Sequence, residues 1–404
     1  MMNVSKVFRE LGDKVSSEWA GKNRREEFFP EIAASVLERS RVLQTVDVKE
    51  LVRWFALAHE VPPQETSEFG QPPVIVYTGE GFYIQCLFWL DATTTIHRHD
   101  FAGAFGVLSG SSLHTHYHFH RTKEIAREIM LGDLQFQSSE LLQQGDLHRI
   151  EPGDKLVHSL FHLDRPSVSL VIRTPVLEHW TPQYAYMKPY LAIDPAYNPQ
   201  PFRNRLRMLE SLRSTDLELF WSIASTMVES CDLWMLYKVL GVVHAKSVRQ
   251  PHEWRLFLEQ CHRFHGEEIT SRIIACLDTF SANMRLMMLR ASVHNPVHRF
   301  FLALLLNVPS REAILTAICK RFPAAAPESL IAQWMGEMSG QGQIKVALDT
   351  LSTQLLTLAI RHSALDEARR SLPEGKKDET RSEAELQDRW NAIHSIEFLK
   401  PVLA

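Results

Sequence analysis

The stretch Ile96-His97-Arg98-His99-Asp100-Phe101 decides how this chain is read. It follows apolar and β-branched runs, Phe82 to Leu90 and then Thr93-Thr94-Thr95-Ile96. Successive side chains of a strand alternate between faces, so His97 and His99 share one face. A third candidate, His158, with His162 as the less favoured alternative, lies in Leu156-Val157-His158-Ser159-Leu160-Phe161-His162. Two imidazoles from one strand and one from a distant strand build a three-histidine site with open coordination positions. Such a site suits a catalytic divalent metal better than a closed structural one.

Around this stretch the chain has the texture of an all-β unit. Val74 to Tyr77, Phe82 to Trp89, Ala104 to Leu108, Leu113 to Phe119, Leu147 to Ile150 and Val168 to Ile172 are short runs rich in β-branched and aromatic residues. Gly79-Glu80-Gly81, Ser109-Gly110-Ser111, Gly145-Asp146 and Pro152-Gly153-Asp154 separate them. Many short strands punctuated by turns predict a sandwich or barrel, placed at 69–178. A short helix is expected over Lys123 to Met130. His114, His116, His118 and His120 alternate strictly and so share a face. They read either as a solvated face, with Leu113, Tyr117 and Phe119 turned to the core, or as a second metal site or a pocket of proton-transfer groups. The clean alternation of the apolar partners favours the solvated face. Asp100 is a candidate carboxylate behind His99, although adjacency puts it on the opposite face.

Helical periodicity frames the barrel. Val4, Val7, Phe8 and Leu11, then Ile32, Val36 and Leu37, then Leu51, Trp54, Phe55 and Leu57 predict helices in 1–68 that pack on the barrel and end at Pro62-Pro63. Residues 179–201, with Pro182, Pro189, Pro195 and Pro199 among Trp180, Tyr184, Tyr186 and Tyr190, lack a period and read as an aromatic connection. From 202 to 404 the chain reads as helical. Thr215-Asp216-Leu217-Glu218 has capping-box form, and Pro309-Ser310-Arg311-Glu312 and Pro327-Glu328 are proline-then-acid helix starts. The charge-dense run from Arg369 to Glu385 reads as a mobile loop, followed by an amphipathic helix to about Leu399.

Composition narrows the setting. The 404 residues suffice for two domains, with 45% hydrophobic and 23% charged residues. A formal net charge of -4 gives no reason to expect nucleic acid or an acidic membrane as partner. The five cysteines, Cys86, Cys231, Cys261, Cys276 and Cys319, form no CxxC, which points to reduced thiols and a cytoplasmic protein. Met1 to Lys6 lacks a signal-peptide core, and the longest apolar run, Phe300 to Leu306, is too short to span a bilayer.

The segments from Thr93 to Gly110 and from Gly145 to Pro175 resemble the two sequence motifs of the cupin superfamily. In the first motif His97, His99 and Gly110 fit, and the slot for a glutamate falls on Gly103. In the second, Gly145, Pro152-Gly153 and His158 fit, and His162 occupies a slot that often holds asparagine. A three-histidine site without the acid is similar to those of the thiol dioxygenases, of which cysteine dioxygenase is the familiar member. Cys86-Leu87-Phe88-Trp89 and Arg165-Pro166-Ser167-Val168-Ser169-Leu170 share that family's local texture.

The resemblance implies a jelly-roll barrel; with the helical pattern from 202 to 404, the chain reads as a multi-domain α and β protein, a barrel followed by an all-α domain. The resemblance also implies Fe(II) on His97, His99 and His158, with dioxygen and a small metal-chelating substrate as reactants. The family's carboxylate-binding arginine has no counterpart in Val76 to Phe82, and its tyrosine beside the iron falls on Arg173. Arg173 then reads as the group orienting a substrate carboxylate or phosphate, or as a structural arginine paired with an acid; His162 is the second catalytic candidate. Because cupin barrels pair, a homodimer is expected, and the helical domain is a candidate surface for a protein partner. Two other readings use the same residues: a Zn, Ni or Mn isomerase, hydrolase or lyase with the metal as Lewis acid, and a non-catalytic sensor or scaffold.

Overall fold

A computed structural model describes residues 3–64, 69–90, 94–176, 182–245, 249–344, 346–362, 365–370 and 383–403. Most of the charge-dense run expected as a loop before Glu385 lies outside the described residues. The N-terminal segment forms helices α1 (Val4–Ala20), α2 (Phe29–Ser40), α3 (Val42–Thr45) and α4 (Val48–Leu57). Asn3 caps α1 and Asp47 caps α4, each accepting a backbone N–H of the first turn.

Eleven strands follow among the described residues: β1 (Pro73–Gly79), β2 (Phe82–Trp89), β3 (Ile96–His99), β4 (Gly103–Ser109), β5 (Ser111–Ala126), β6 (Ile129–Gln143), β7 (Leu147–Ile150), β8 (Gly153–His162), β9 (Ser167–Arg173), β10 (Ala185–Met187) and β11 (Leu191–Ile193). Five form one sheet in the order β1-β2-β9-β4-β7. The other six run β10-β11-β6-β5-β8-β3, and the β3–β10 pairing closes that ladder on itself. Every pairing is antiparallel. The unit is the cupin-like β-barrel expected from the sequence, with a large helical region after it.

Strand alternation divides the side chains cleanly. In β2 and β9, Ile84, Cys86, Phe88, Val168, Leu170 and Ile172 turn outward onto α1 and α2, around Phe8, Leu11, Phe29 and Leu37. Their neighbours Leu87, Trp89 and Val171 turn inward and meet Phe101, Phe105, Val107, Ile150, Leu156 and Leu160 between the sheets. Burying side chains of this size stabilises by about 1.5–3 kcal/mol each.

Two sequence expectations are corrected here. The helix expected over Lys123 to Met130 is instead the end of a hairpin, with Ala126 paired to Ile129 and a tight turn at Arg127-Glu128. The residues there favour helix locally, but a ladder of cross-strand bonds outweighs a propensity of a few tenths of a kcal/mol per residue. Within 179–201, expected as a connection packing on the barrel, Ala185–Met187 and Leu191–Ile193 are barrel strands. Three-residue strands leave too little sequence to show a period.

The helical region does not hold a core apart from the barrel. Ile129, Leu131, Leu191 and Ile193 pack with Phe202, Phe220, Trp234 and Leu240. Leu113, Leu141 and Phe161 pack with Phe300, Phe301, Leu304 and Met335. The helix Glu267–Ser292 joins both clusters, giving Ile273 and Cys276 to one and Leu286 to the other. Tyr117 Oη donates to the Asn307 carbonyl at 3.2 Å, and Lys320 Nζ to that of Leu141 at 2.8 Å. Asp216, rather than Thr215, caps the helix Leu217–Glu229. Among the described residues no helix is long and apolar enough to cross a membrane.

Candidate metal centre

His97 and His158 sit directly opposite one another on β3 and β8, and His99 follows on the same inward face of β3. All three are buried, and one ring nitrogen from each lies within 4.8 Å of the others. Nε2 of His99 and Nε2 of His158 are 2.7 Å apart. His97 Nδ1 lies 2.7 Å from the Thr95 carbonyl oxygen, so that nitrogen carries the proton and Nε2 keeps its lone pair. His158 Nδ1 lies 2.8 Å from His114 Nε2. Adjacent ligands at about 2.1 Å in an octahedral shell lie about 3.0 Å apart, so three converging imidazoles fit one face of such a shell after a small opening.

Burial keeps the rings neutral. It holds His97 down to about 4 despite the opposing Thr95 bond. His99 and His158 are pushed well below the ordinary value, first by burial and then by neighbouring rings, with the Arg173 charge adding to the effect on His99. Neutral imidazoles are the form that binds metal.

The position expected for an acid is closed sterically. A Cβ at Gly103 would lie well inside contact of the Ile172 carbonyl oxygen and 3.0 Å from Arg173 Cα, both backbone of β9. A three-histidine set without a carboxylate is therefore built into the β4–β9 pairing.

Arg173 reaches the same interior. A small cavity of about 60 Å³ is lined by His97, His99, His158 and Arg173, with Gln85, Thr94 and Ser169 as polar neighbours and Leu87, Trp89, Phe101, Phe105 and Leu160 as apolar walls. The Arg173 guanidinium lies over the Phe101 ring, 3.3 Å from its centroid, and its Nε donates to the Thr174 carbonyl at 3.1 Å. The other catalytic candidate, His162, is not brought to the donors. Four positions along β8, at about 3.3 Å each, separate it from His158. It stacks on Trp89 at 4.3 Å, and its Nδ1 meets Ser112 Oγ and Ser167 Oγ, each at 2.9 Å.

The alternating histidines of β5 depart from the solvated face favoured by the sequence. His118 and His120 are exposed, but His114 is fully buried and His116 half-buried. Both faces of β5 are covered, because Leu113 and Tyr117 turn to the helical region while His114 turns into the barrel. His114, His116, Glu140 and His148 form a second group of converging donors. Glu140 and His148 escaped the sequence reading. The available signal was a second HxH, His114-Thr115-His116, repeating the spacing of His97 and His99.

The sequence matches no family profile and no curated protein. Among solved structures it is similar to a cupin-2 domain containing protein from Shewanella frigidimarina, at 12% identity over 32% of this chain and 95% of that one, with a TM-score of 0.20. It is also similar to an uncharacterized conserved protein with a double-stranded beta-helix domain from Klebsiella pneumoniae, at 14% identity over 30% and 88% of the two chains, with a TM-score of 0.19. The strand order, the register and the donor geometry together define a cupin-like barrel that carries a candidate metal site.

Proposed function

We propose that the protein is a mononuclear non-haem iron oxygenase that acts with dioxygen on a small, anionic, metal-chelating substrate. The observation that carries this reading is the convergence of neutral His97, His99 and His158 in one cavity with the Arg173 cation, at a position where Gly103 excludes an acid. With no carboxylate ligand the site keeps the full charge of a divalent ion, which favours an anionic chelator. Ferrous iron bound there would supply the one-electron chemistry that dioxygen requires.

The remaining roles belong to the chain. His97, held by the Thr95 carbonyl, and His158, held by His114, keep their rings oriented with Nε2 inward. Arg173 binds a substrate carboxylate through its fork of N–H donors and sets the substrate's direction in the cavity. Leu87, Phe101, Phe105, Leu160 and Val171 exclude bulk water. The cavity, about 60 Å³, is small, which favours a small substrate.

Metal content of tag-free protein, with oxygen uptake screened over small thiols, amino acids and keto acids, tests the reading. One equivalent of iron lost in His97→Ala and in His158→Ala, with uptake on at least one acid, is expected. Zinc or nickel in place of iron, lost in His97→Ala and in His158→Ala and giving no uptake, overturns the oxygenase and moves the chemistry to Lewis-acid catalysis.

A further inference from the structure

His114 and His116 on β5, Glu140 on β6 and His148 on β7 bring together donors from both sheets of the barrel. His114 and Glu140 are direct cross-strand partners, and His148 stacks on Phe105 at 5.6 Å, which holds its ring. All three imidazoles approach the same carboxylate oxygen. Glu140 Oε1 lies 3.3 Å from His114 Nδ1, 3.5 Å from His116 Nε2 and 3.2 Å from His148 Nε2. Four ligands at about 2.1 Å around a tetrahedral ion lie about 3.4 Å from one another, which these three separations match, and all four donor atoms lie within 4.8 Å of one another. His114 is fully buried, and its Nδ1, aimed into the cluster, has no hydrogen-bond partner of good geometry among the described residues. His116 and His148 are each 27% exposed at the side chain, which gives an ion a way in.

We propose that His114, His116, His148 and Glu140 form a second divalent-cation site, of the kind that takes zinc or a late first-row transition ion, and that it clasps the two sheets of the barrel. The site uses other residues than the three-histidine centre but adjoins it: His116 pairs with His158 across β5 and β8, and His114 Nε2 lies 2.8 Å from His158 Nδ1. A neutral ring that ligates through one nitrogen carries its proton on the other. When His158 ligates in the inner centre, its Nδ1–H donates to His114 Nε2. The His114 proton then resides on Nδ1 and points at Glu140, leaving His116, His148 and Glu140 as ligands. When the inner centre is vacant, His114 turns its lone pair to the outer ion and completes the four. Filling the inner centre therefore removes one ligand from the outer one.

Equilibrium dialysis of chelator-stripped, full-length protein against Zn(II), with bound zinc counted per chain, tests this. The wild type is expected to hold two equivalents and His116→Ala/His148→Ala one. His97→Ala/His99→Ala is expected to hold one, bound tenfold or more tightly than the weaker equivalent of the wild type. Adding Glu140→Gln to His116→Ala/His148→Ala is expected to change nothing further. Equal zinc in the wild type and in His116→Ala/His148→Ala overturns the second site. Because His116, His148 and Glu140 are partly exposed, those variants retain the fold, which circular dichroism checks. Zinc absent from His116→Ala/His148→Ala but present in His97→Ala/His99→Ala would instead remove the inner centre and leave the outer one standing.

Discussion

Replacing Gly103 with alanine tests why the inner centre lacks an acid. The added methyl would meet the Ile172 carbonyl and the Arg173 Cα, which are backbone and cannot swing aside as a side-chain tip would. Overpacking a closed interior costs about 1–3 kcal/mol, and rigid neighbours place this site at the upper end. Losing glycine's freedom in the unfolded chain returns about 0.4–1 kcal/mol. A net loss of about 2 kcal/mol follows, read as a lowered urea midpoint with unchanged slope. The strain falls on β4 and β9, whereas His97, His99 and His158 sit on β3 and β8. Metal stoichiometry should therefore hold while substrate affinity falls through displacement of Arg173. Gly103→Glu should be worse still and should not tighten metal binding. A Gly103→Ala protein within about 0.5 kcal/mol of wild type, or a Gly103→Glu protein with higher metal affinity, would refute the reasoning.

Three other outcomes can be checked directly. Arg173→Met removes a charged hydrogen bond of about 1.5–3 kcal/mol, so KM should rise roughly ten- to a hundredfold with metal content unchanged; unaltered KM would exclude Arg173 from substrate binding. His97 and His114 are each held to about 4 when folded, by burial, against about 6.5 when unfolded. Below pH 6.5 the unfolded chain takes up protons that the folded one refuses, so stability is lost as pH falls from 6.5 through 4, by up to about 3 kcal/mol per ring in metal-free protein; a flat urea midpoint between pH 7 and 5 would contradict this. Phe161→Ala should cost about 3–5 kcal/mol, since the ring is buried against the helical core and lies under the Arg290 guanidinium at 4.6 Å. Differential scanning calorimetry should show the barrel and helical transitions moving together.

The inner donors were legible because ligand spacing and strand period coincide: His97-x-His99 and His158 need only alternation to share a face. The N-terminal helices were legible for the same reason, since Val4, Phe8 and Leu11 mark one buried stripe. The outer cluster was not. Alternation along β5 separates two faces but does not say which one is interior, and here the apolar face is buried too, beneath the helical region. Glu140 could not be joined to His114 without the β5–β6 register, which no local pattern records. The strands β10 and β11 exist only because β3 and β6 offer them free edges.

That apolar outer face limits how the protein can be divided. Leu113, Leu141 and Phe161 stand on the barrel's strands yet are covered by residues from Leu286 onward, and Ile129, Leu131 and Leu191 are covered by the helices before them. A fragment ending after Ile193 would keep every metal donor and yet present two hydrophobic patches to water, on strands that invite pairing with another copy. Such a fragment should aggregate rather than serve as a minimal metal-binding unit. The helical region is in this sense the barrel's own solvent boundary, and truncation experiments on it would report solubility before they report function.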